Sequence, residues 1–160
     1  MKVGISGHQH LDNERLWVWV EEQLARTLSE LPAPLTAVSS LAIGADQLLV
    51  RLVLKTGGDL EVVLPFAEYE NVLPAEDRAS FKALLKQAAT IEILEGQESP
   101  EESYLEAGKT VVKRSALMIF IWDEKPAKGL GGTADIYAYA QQRGKPFVLL
   151  NPATQTVIAC

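Results

Sequence analysis

Short apolar runs alternate along the chain with longer segments in which apolar positions recur every three or four residues. The short runs are rich in β-branched residues and predict β-strands, whereas the longer segments predict amphipathic α-helices. The predicted strands cover residues 2–6, 34–40, 60–66, 90–94, 116–123 and 145–151, with a short edge strand at 156–159. The predicted helices cover residues 13–31, 44–58, 74–88, 99–115 and 132–144. Asp12 or Asn13 is the expected N-cap of the first helix, and Ser99, followed by Pro100, is the expected N-cap of the fourth.

This order of elements predicts an α/β fold, because near-continuous apolar strands that alternate with helices are typical of a parallel sheet covered on both faces. We expect a three-layer Rossmann-like domain with a mostly parallel central sheet, and the 160 residues fit a single domain over 1–160. Residues 116–123 form the most apolar run and are expected to be a central strand. Residues 67–77 are the longest irregular segment, and long loops of this kind are often lids or binding loops.

Composition places the chain among globular proteins and narrows its partners. Hydrophobic residues make up 48% and charged residues 22% of the sequence, and the formal net charge is -6. An acidic chain repels the phosphates of nucleic acids and anionic membranes, so we expect no general nucleic-acid binding and no membrane binding, although a local basic pocket is compatible with this charge.

The cysteine usage and the N-terminus indicate a cytoplasmic protein. The single cysteine, Cys160, excludes an internal disulfide or a cysteine-based zinc site and fits a reducing compartment. Residues 1–6 enter the first strand directly, so no signal peptide is expected. No apolar run reaches the ~18 residues that span a bilayer.

The segments that follow the strands are the candidate sites, because ligands of open α/β sheets bind beyond the carboxyl ends of the strands. In SGHQHLD, after the first strand, Ser6 and Gly7 allow a tight turn with exposed amides. His8 and His10, the only histidines, are either surface polar residues or ligand contacts. We favour a nucleotide-facing His8 over a metal pair, because no third ligand has a recognisable spacing. No metal site is expected.

The second candidate segment is LAIGADQLL, in which Gly44 lets the backbone turn and approach a ligand closely. Asp46 then lies in the first turn of a helix. Its carboxylate either caps this helix and compensates its dipole, or accepts hydrogen bonds from a ribose or a base.

The third candidate segment is LPFAEYE, in which Pro65 sets the exit from the sheet. Glu68, Tyr69 and Glu70 either form a solvated loop or close over a ligand, with Tyr69 stacking on a base. The solvated loop is the interpretation we favour.

The fourth candidate segment is WDEKPAKGLGGTAD, which combines the strand-end acid Asp123 with two lysines and a glycine-rich turn. Backbone amides in the first turn of a helix have no intrahelical partners, so this turn predicts a phosphate seat on residues 131–133. Thr133 adds a hydroxyl donor, and Lys125 or Lys128 could assist. The alternative is an ordinary N-cap by Thr133, with Gly131 and Gly132 making the turn.

Three of these motifs resemble the SLOG superfamily: VGISGHQ (3–9), AIGADQL (42–48) and GGTADIYAYAQQRGKPFVLLNP (131–152). This superfamily includes the DNA-processing protein DprA, the LOG phosphoribohydrolases and stand-alone nucleotide-sensing domains. The resemblance covers nearly the whole chain in order. It implies a Rossmann-like fold, with a nucleotide or a nucleotide-derived ligand bound at the glycine-rich turns and no further cofactor.

One position departs from the enzymes of this superfamily. LOG enzymes carry a PGGxGTxxE pattern, and their catalytic Glu corresponds by resemblance to Ile136 here. An aliphatic side chain can neither stabilise an oxocarbenium ion nor attack it. Asp135 lies one residue earlier, roughly 100° around the helix, and cannot simply take over the role.

Three hypotheses follow from these observations. The first is a non-catalytic nucleotide-binding or sensing domain that holds the ligand with Ser6, Gly7, His8, Gly44, Asp46, Gly131, Gly132, Thr133 and Asp135. The second is an N-glycosidase acting on nucleoside monophosphates, with Asp135, Asp46 or Asp123 as the working carboxylate. The third is a scaffold subunit in which the glycine turns are only structural.

Two tryptophans on the first predicted helix suggest a subunit contact. Trp17 and Trp19 face different directions, so we expect one in the core and the other at a contact of a homo-oligomer.

Overall fold

The computed structural model describes residues 1–126 and 130–160, and in these ranges the chain forms seven β-strands and five α-helices. The strands are β1 (Lys2–Gly7), β2 (Thr36–Ser39), β3 (Asp59–Leu64), β4 (Thr90–Ile93), β5 (Leu117–Ile121), β6 (Phe147–Asn151) and β7 (Thr156–Ala159). The helices are α1 (Glu14–Ser29), α2 (Ala45–Lys55), α3 (Arg78–Leu85), α4 (Pro100–Arg114) and α5 (Thr133–Gln142).

The strands form one sheet in the order β4-β3-β2-β1-β5-β6-β7. Every neighbouring pair is parallel except β6 and β7, which are antiparallel. The strand order reverses at β1, because β2 leads away from it on one side and β5 on the other. The predicted α/β fold and the predicted inner position of β5 are confirmed.

Helices cover both faces of the sheet, so the three-layer prediction is also confirmed. Alternate residues of β5 show how the strands serve two cores, since Ile119 belongs to one buried cluster and Phe120 to the other. The first cluster takes its helical residues from α1, α2 and α3, and the second from α4 and α5.

Polar caps set the start of two helices as the sequence predicts. The Asn13 side chain accepts a hydrogen bond from the backbone N–H of Arg15 at 2.9 Å, and the Ser99 hydroxyl accepts one from Glu102 at 3.1 Å. Pro100 follows Ser99 at the first helical position, where the missing N–H has no cost.

The helix predicted over residues 74–88 is present but shorter, because its α-helical part covers only Arg78–Leu85. The chain forms two short 3-10 helices, Tyr69–Val72 and Ala75–Asp77, before α3 begins at Arg78. The Arg78 side chain donates to the carbonyls of Leu73 and Asn71, both at 3.2 Å, and holds this segment against α3. The predicted loop at 67–77 is therefore largely structured.

The two tryptophans of α1 do not divide between core and surface. Trp17 and Trp19 are both half-buried and pack against the first cluster. Within the described ranges, no helix is both long and apolar enough to cross a membrane.

Gly44 joins the loop after β1 to the start of α2. Its φ is +80°, and a Cβ built on it would lie 2.5 Å from the carbonyl oxygen of Gln9 and 2.6 Å from that of His8. Gly57, after α2, has nearly the same φ, +81°, but no atom within 4 Å of the corresponding Cβ position. Both positions require a residue that adopts positive φ, and only Gly44 must also lack a Cβ because there is no space for one.

We predict that Gly44→Ala destabilises the protein more than Gly57→Ala. The Gly57→Ala change should cost about 1–2 kcal/mol, because L-residues are strained at positive φ. The Gly44→Ala change should add about 1–3 kcal/mol, because the new methyl group meets backbone atoms that cannot rotate away. Urea unfolding of both variants measures the difference, and equal costs would contradict the steric role of Gly44.

Candidate functional site

Two clefts open at the carboxyl ends of β1 and β5, where the strand order reverses and ligands of open α/β sheets bind. The first, which we call the tyrosine cleft, has a volume of about 370 Å³. The second, the tryptophan cleft, has a volume of about 590 Å³. Residues that line the tyrosine cleft include Ser6, Asp46, Pro65, Tyr69, Val72, Tyr104, Gly131 and Ile136. Residues that line the tryptophan cleft include His8, Asp12, Trp122, Asp123, Lys125, Pro152 and Ala153.

Five residues line both clefts and form the boundary between them, which we call the shared ridge. They come from the turn after β1 and from the start of α5: Gly7, Gln9, His10, Gly132 and Thr133. The two glycine-bearing turns that the sequence marks as candidate sites therefore meet, although about 120 residues separate them in the chain.

His8 holds the turn after β1 in place. Its backbone N–H donates to the carbonyl of Ile121 at 3.0 Å, and its carbonyl accepts from the N–H of Ala45 at 3.1 Å. Its imidazole Nε2 accepts from the backbone N–H of Asp123 at 3.1 Å. The same nitrogen lies 3.4 Å from Asp123 Oδ1, a contact that becomes an ion pair only when the ring is protonated. His8 thus fastens β1 to both neighbouring turns and also lines the tryptophan cleft.

The carboxyl of Asp123 is held in its ionised form. Partial burial raises the pKa of Asp123, but the hydrogen bond from the backbone N–H of Lys125 and the nearby side chains of His8 and Lys125 outweigh burial, so the pKa lies below its ordinary value. The Lys125 N–H lies 3.1 Å from Asp123 Oδ1. The tryptophan cleft therefore carries a fixed negative charge beside a lysine.

Asp46 is the buried acid of the tyrosine cleft, with 8% of its surface exposed. Its Oδ2 accepts from the Ser39 hydroxyl at 2.9 Å. Burial raises the pKa of Asp46 to about 6, although the Ser39 hydroxyl and the backbone N–H groups of Ser40 and Ala42 oppose this shift. Asp46 is not the N-cap of α2, because Gly44 occupies that position and no side chain makes a capping hydrogen bond to this helix start.

The chain between β2 and Asp46 is strained. Leu41 has a φ of +59°, in the left-handed region that a leucine rarely adopts. Its N–H donates to Ser39 Oγ at 2.9 Å, and its carbonyl accepts from the Gln47 side chain at 3.1 Å. Strain that is held by buried hydrogen bonds is typical of ligand sites, and here it lies beside the cleft wall.

Aromatic side chains form the wall opposite α2. The ring of Tyr69 lies 5.9 Å from Phe66, 5.8 Å from Phe81 and 6.2 Å from Tyr104. Tyr69 is 6% exposed, so the solvated loop favoured from the sequence is wrong at this residue. Burial, and then the nearby negative charge of Asp46, raise the pKa of Tyr69, which keeps its hydroxyl protonated and able to donate.

The Tyr69 hydroxyl has no hydrogen-bond partner among the described residues. Every fully buried side-chain nitrogen or oxygen in the described part of the chain has a partner, so this hydroxyl is not fully buried. The residue itself lines the tyrosine cleft. An unpaired donor at the cleft surface is available to a ligand.

The glycine turn before α5 is partly capped from within. The N–H of Gly131 donates to Asp135 Oδ2 at 2.9 Å, so this amide is not free for a phosphate and the predicted seat on residues 131–133 is smaller than expected. Gly132 is the N-cap of α5 and Thr133 its first residue, so the alternative of an N-cap by Thr133 is wrong. The amides of Gly132 and Thr133 have no acceptor among the described residues.

Ile136 lies in the wall of the tyrosine cleft and is 2% exposed. A Cβ on Gly108 of α4 would lie 2.3 Å from Ile136 Cδ1, so the glycine makes room for this side chain. The position at which the resembling enzymes carry a glutamate is therefore filled by a packed aliphatic group. In the described ranges, no group of three or more possible ligand side chains is placed to hold a metal ion.

The structure brings most of the predicted site residues to the two clefts, with four exceptions among those it describes. Gly44 contacts the His8–Gln9 backbone rather than an open space, and Asp135 caps Gly131. Glu70 pairs with Lys82 at 3.0 Å, and Glu68 is exposed outside both clefts. Lys128 lies outside the described residues.

Sequence reasoning missed residues that do not follow a strand. Tyr104 lies in α4 and reaches the tyrosine cleft from the side, and Val72 and Leu73 approach it from the segment before α3. The available signal for Tyr104 was an aromatic residue near the start of a helix rich in acids. Pro152 and Ala153 follow β6 and line the tryptophan cleft, which the rule on strand ends identifies.

The chain resembles solved structures of SLOG proteins in fold. DNA processing protein A (DprA) from Helicobacter pylori matches over 93% of this chain and 64% of its own, with a TM-score of 0.66 and 19% identity. DprA from Streptococcus pneumoniae matches over 92% of this chain and 49% of its own, with a TM-score of 0.67 and 16% identity. TM1055, a LOG-like protein, matches over 93% of this chain and 73% of its own, with a TM-score of 0.60 and 17% identity.

These three structures share the chain's fold, so the Rossmann-like fold that the sequence motifs imply is confirmed. The chain spans about half to two thirds of the length of the two DprA chains. No protein-family model matches the sequence, and no curated protein matches it.

The expectation that nucleic acid is excluded as a partner is wrong. The DprA of Helicobacter pylori, which shares this fold, binds single-stranded DNA. The formal charge of -6 sums over the whole surface, whereas phosphates are held by local donors. Net charge therefore does not exclude such a ligand.

We predict that Asp46 makes the protein less stable as the pH rises from about 4 to 7. The folded pKa of about 6 lies above the unfolded value of 3.8, so the unfolded state ionises first and gains stability as pH rises through this window. The shift corresponds to about 3 kcal/mol at most, fully lost above pH 6.

Unfolding free energies of the wild type and of Asp46→Asn, measured between pH 3.5 and 7.5, test this. The free energy of unfolding of Asp46→Asn should increase relative to that of the wild type as the pH rises. Ser39→Ala is the matched control, because it removes the partner at 2.9 Å but keeps the carboxylate and therefore the pH dependence. A difference that stays constant over this range would show that folding does not raise the pKa of Asp46.

Proposed function

We propose that this chain binds a nucleotide or a nucleotide-derived ligand in the tyrosine cleft and acts as a non-catalytic binding or sensing domain. The observation that carries the proposal is that one cleft combines two kinds of polar group. Free backbone donors of the shared ridge, the carboxylate of Asp46 and the residue Tyr69 all line the tyrosine cleft. The cleft volume of about 370 Å³ falls in the range of small-ligand sites.

The shared ridge supplies donors for a phosphate. The amides of Gly132 and Thr133 lie at the N-terminus of α5, where backbone N–H groups carry partial positive charge. The amides of Gln9 and His10 also have no acceptor among the described residues. Asp135 adds a negative charge to the same helical turn, so the anion is held by several neutral hydrogen-bond donors rather than by net positive charge.

The polar side chains of the tyrosine cleft suit a nucleoside. Asp46 accepts hydrogen bonds, and Tyr69 donates one, which together match the hydroxyls of a ribose or the edge of a base. Tyr104 is half-buried on the same wall and offers an aromatic face for stacking. His8 lies on the other side of the ridge and contributes by holding the turn rather than by contact with this nucleoside.

A second candidate function is N-glycosidase activity, and one observation favours it. Asp46 is a carboxyl group buried in the cleft wall with a pKa of about 6, a value suited to general acid catalysis near neutral pH. Against it, Ile136 occupies the position of the catalytic glutamate of the resembling enzymes and is packed against Gly108.

We predict that nucleoside monophosphates stabilise the protein and that Gly132→Val weakens their binding at least about tenfold. A ligand at 100 times its dissociation constant adds about 2.7 kcal/mol, which a thermal-shift screen with AMP, GMP, CMP and UMP detects. The φ of Gly132 is -72°, so valine is compatible with the backbone while its branched side chain blocks the ridge.

Gly96→Val is the matched control, because Gly96 is exposed and lies outside both clefts. Circular dichroism of both variants checks the fold. Unchanged affinity in folded Gly132→Val would move the phosphate to the amides of Gln9 and His10. The absence of any shift with all four nucleotides would contradict the proposed function.

We predict that the protein releases no free adenine from AMP above the uncatalysed background. The reason is that Ile136 provides no carboxylate and Asp135 is bound to Gly131. Chromatography after prolonged incubation measures adenine. Robust release that Asp46→Asn abolishes would establish the second candidate, and release that Asp135→Asn abolishes would place the working carboxylate on α5.

A further inference from the structure

We propose that the tyrosine and tryptophan clefts form one site for a dinucleoside phosphate, with the linking phosphate on the shared ridge and one nucleoside in each cleft. This inference rests on the proposed function and names the class of ligand. The clefts have different walls but the same boundary, since Gly7, Gln9, His10, Gly132 and Thr133 line both. A group bound on this boundary has open space on both sides.

The tyrosine cleft provides one nucleoside half-site. Tyr69 is 94% buried, lines this cleft, and has a hydroxyl without a partner among the described residues. Asp46, equally close to full burial, lines the same cleft. A donor and an acceptor that are fixed by burial and face an open space indicate a ligand with polar edges.

The tryptophan cleft provides the second half-site. The Trp122 indole is fixed, because its Nε1 donates to the Lys125 carbonyl at 3.0 Å and its ring centre lies 5.1 Å from that of Tyr137. A fixed indole in a cleft wall is a surface on which a base can stack. Lys125 and Asp123 line the same cleft and supply one donor group and one acceptor group.

Charge favours a linking phosphate over a terminal one. A terminal phosphate carries about -1.5 to -2 at neutral pH, whereas a phosphodiester carries -1. The donors on the ridge are neutral amides, Asp135 lies in the same helical turn, and Asp123 holds its negative charge beside the ridge. The carboxylates of Asp135 and Asp123 repel a phosphodiester less than a terminal phosphate, so the ridge binds the phosphodiester better.

The experiment compares AMP with the dinucleoside monophosphate ApA by isothermal titration calorimetry on the full chain. We expect ApA to bind about tenfold or more tightly than AMP, because the second base gains stacking contacts. AMP binding with no gain for ApA would overturn this inference and leave the proposed function standing. Failure of both ligands to bind would overturn both, and ApA binding without AMP binding would support this inference.

Two variants, each of which fills one cleft, test which cleft holds which nucleoside of the ligand. Val72 is 51% exposed and lines only the tyrosine cleft, whereas Ala153 is exposed and lines only the tryptophan cleft. Val72→Trp should weaken AMP and ApA alike. Ala153→Trp should leave AMP unchanged and reduce ApA to the affinity of AMP. Unchanged ApA affinity in folded Ala153→Trp would overturn the two-cleft site.

A further titration distinguishes the source of the dinucleoside unit. Single-stranded oligoadenylate of about twelve nucleotides contains the same chemistry in a longer chain. Affinity above the statistical gain from its repeated units, with a steep salt dependence, would identify a nucleic-acid strand as the source. Affinity at or below that gain would identify a free dinucleotide.

Discussion

The backbone of His8 is the constraint on which the geometry of both clefts depends. Its N–H continues the hydrogen bonding between β1 and β5, and its carbonyl receives the first amide of α2. These two bonds bring three turns from distant parts of the chain to one point. Gly44 is required there, because any side chain would occupy the space of the His8 and Gln9 carbonyls. The imidazole adds a third attachment through the Asp123 amide. The β1 side of the ridge is therefore held by three hydrogen bonds, which set the positions of the neighbouring amides before a ligand binds.

The electrostatics of the site follow from burial rather than from an excess of one charge. Burial raises the pKa of Asp46, whereas neighbouring groups lower the pKa of Asp123 in spite of its partial burial. The two carboxyl groups thus have different protonation behaviour on the two sides of the ridge. Near neutral pH, a ligand donor that hydrogen-bonds to Asp46 would stabilise its ionised form and lower its pKa, so binding on that side is coupled to release of a proton. The tryptophan cleft has no such coupling through Asp123, which stays ionised.

Regular elements were predictable because their signals are local. The caps Asn13 and Ser99 and the apolar run of β5 each carry their own pattern, and each was found where expected. The segment around Tyr69 was not predictable, because its fold depends on aromatic contacts with Phe81 and Tyr104, which lie far along the chain. The meeting of the Gly7 and Gly132 turns followed from the rule on strand ends. The hydrogen bond from the Gly131 N–H to the Asp135 carboxylate could not be predicted, because an acid in the first turn of a helix is compatible with several partners.

The fit between Ile136 and Gly108 has a consequence for how this sequence can change. A single Ile136→Glu exchange would place a charge in an apolar pocket between two helices and would cost stability before it gave any chemistry. A second exchange at Gly108 that offered a polar partner would first collide with the existing isoleucine. Each step alone is unfavourable, so the two positions are epistatic. A glutamate at position 136 is therefore reached from this sequence only if both positions change together.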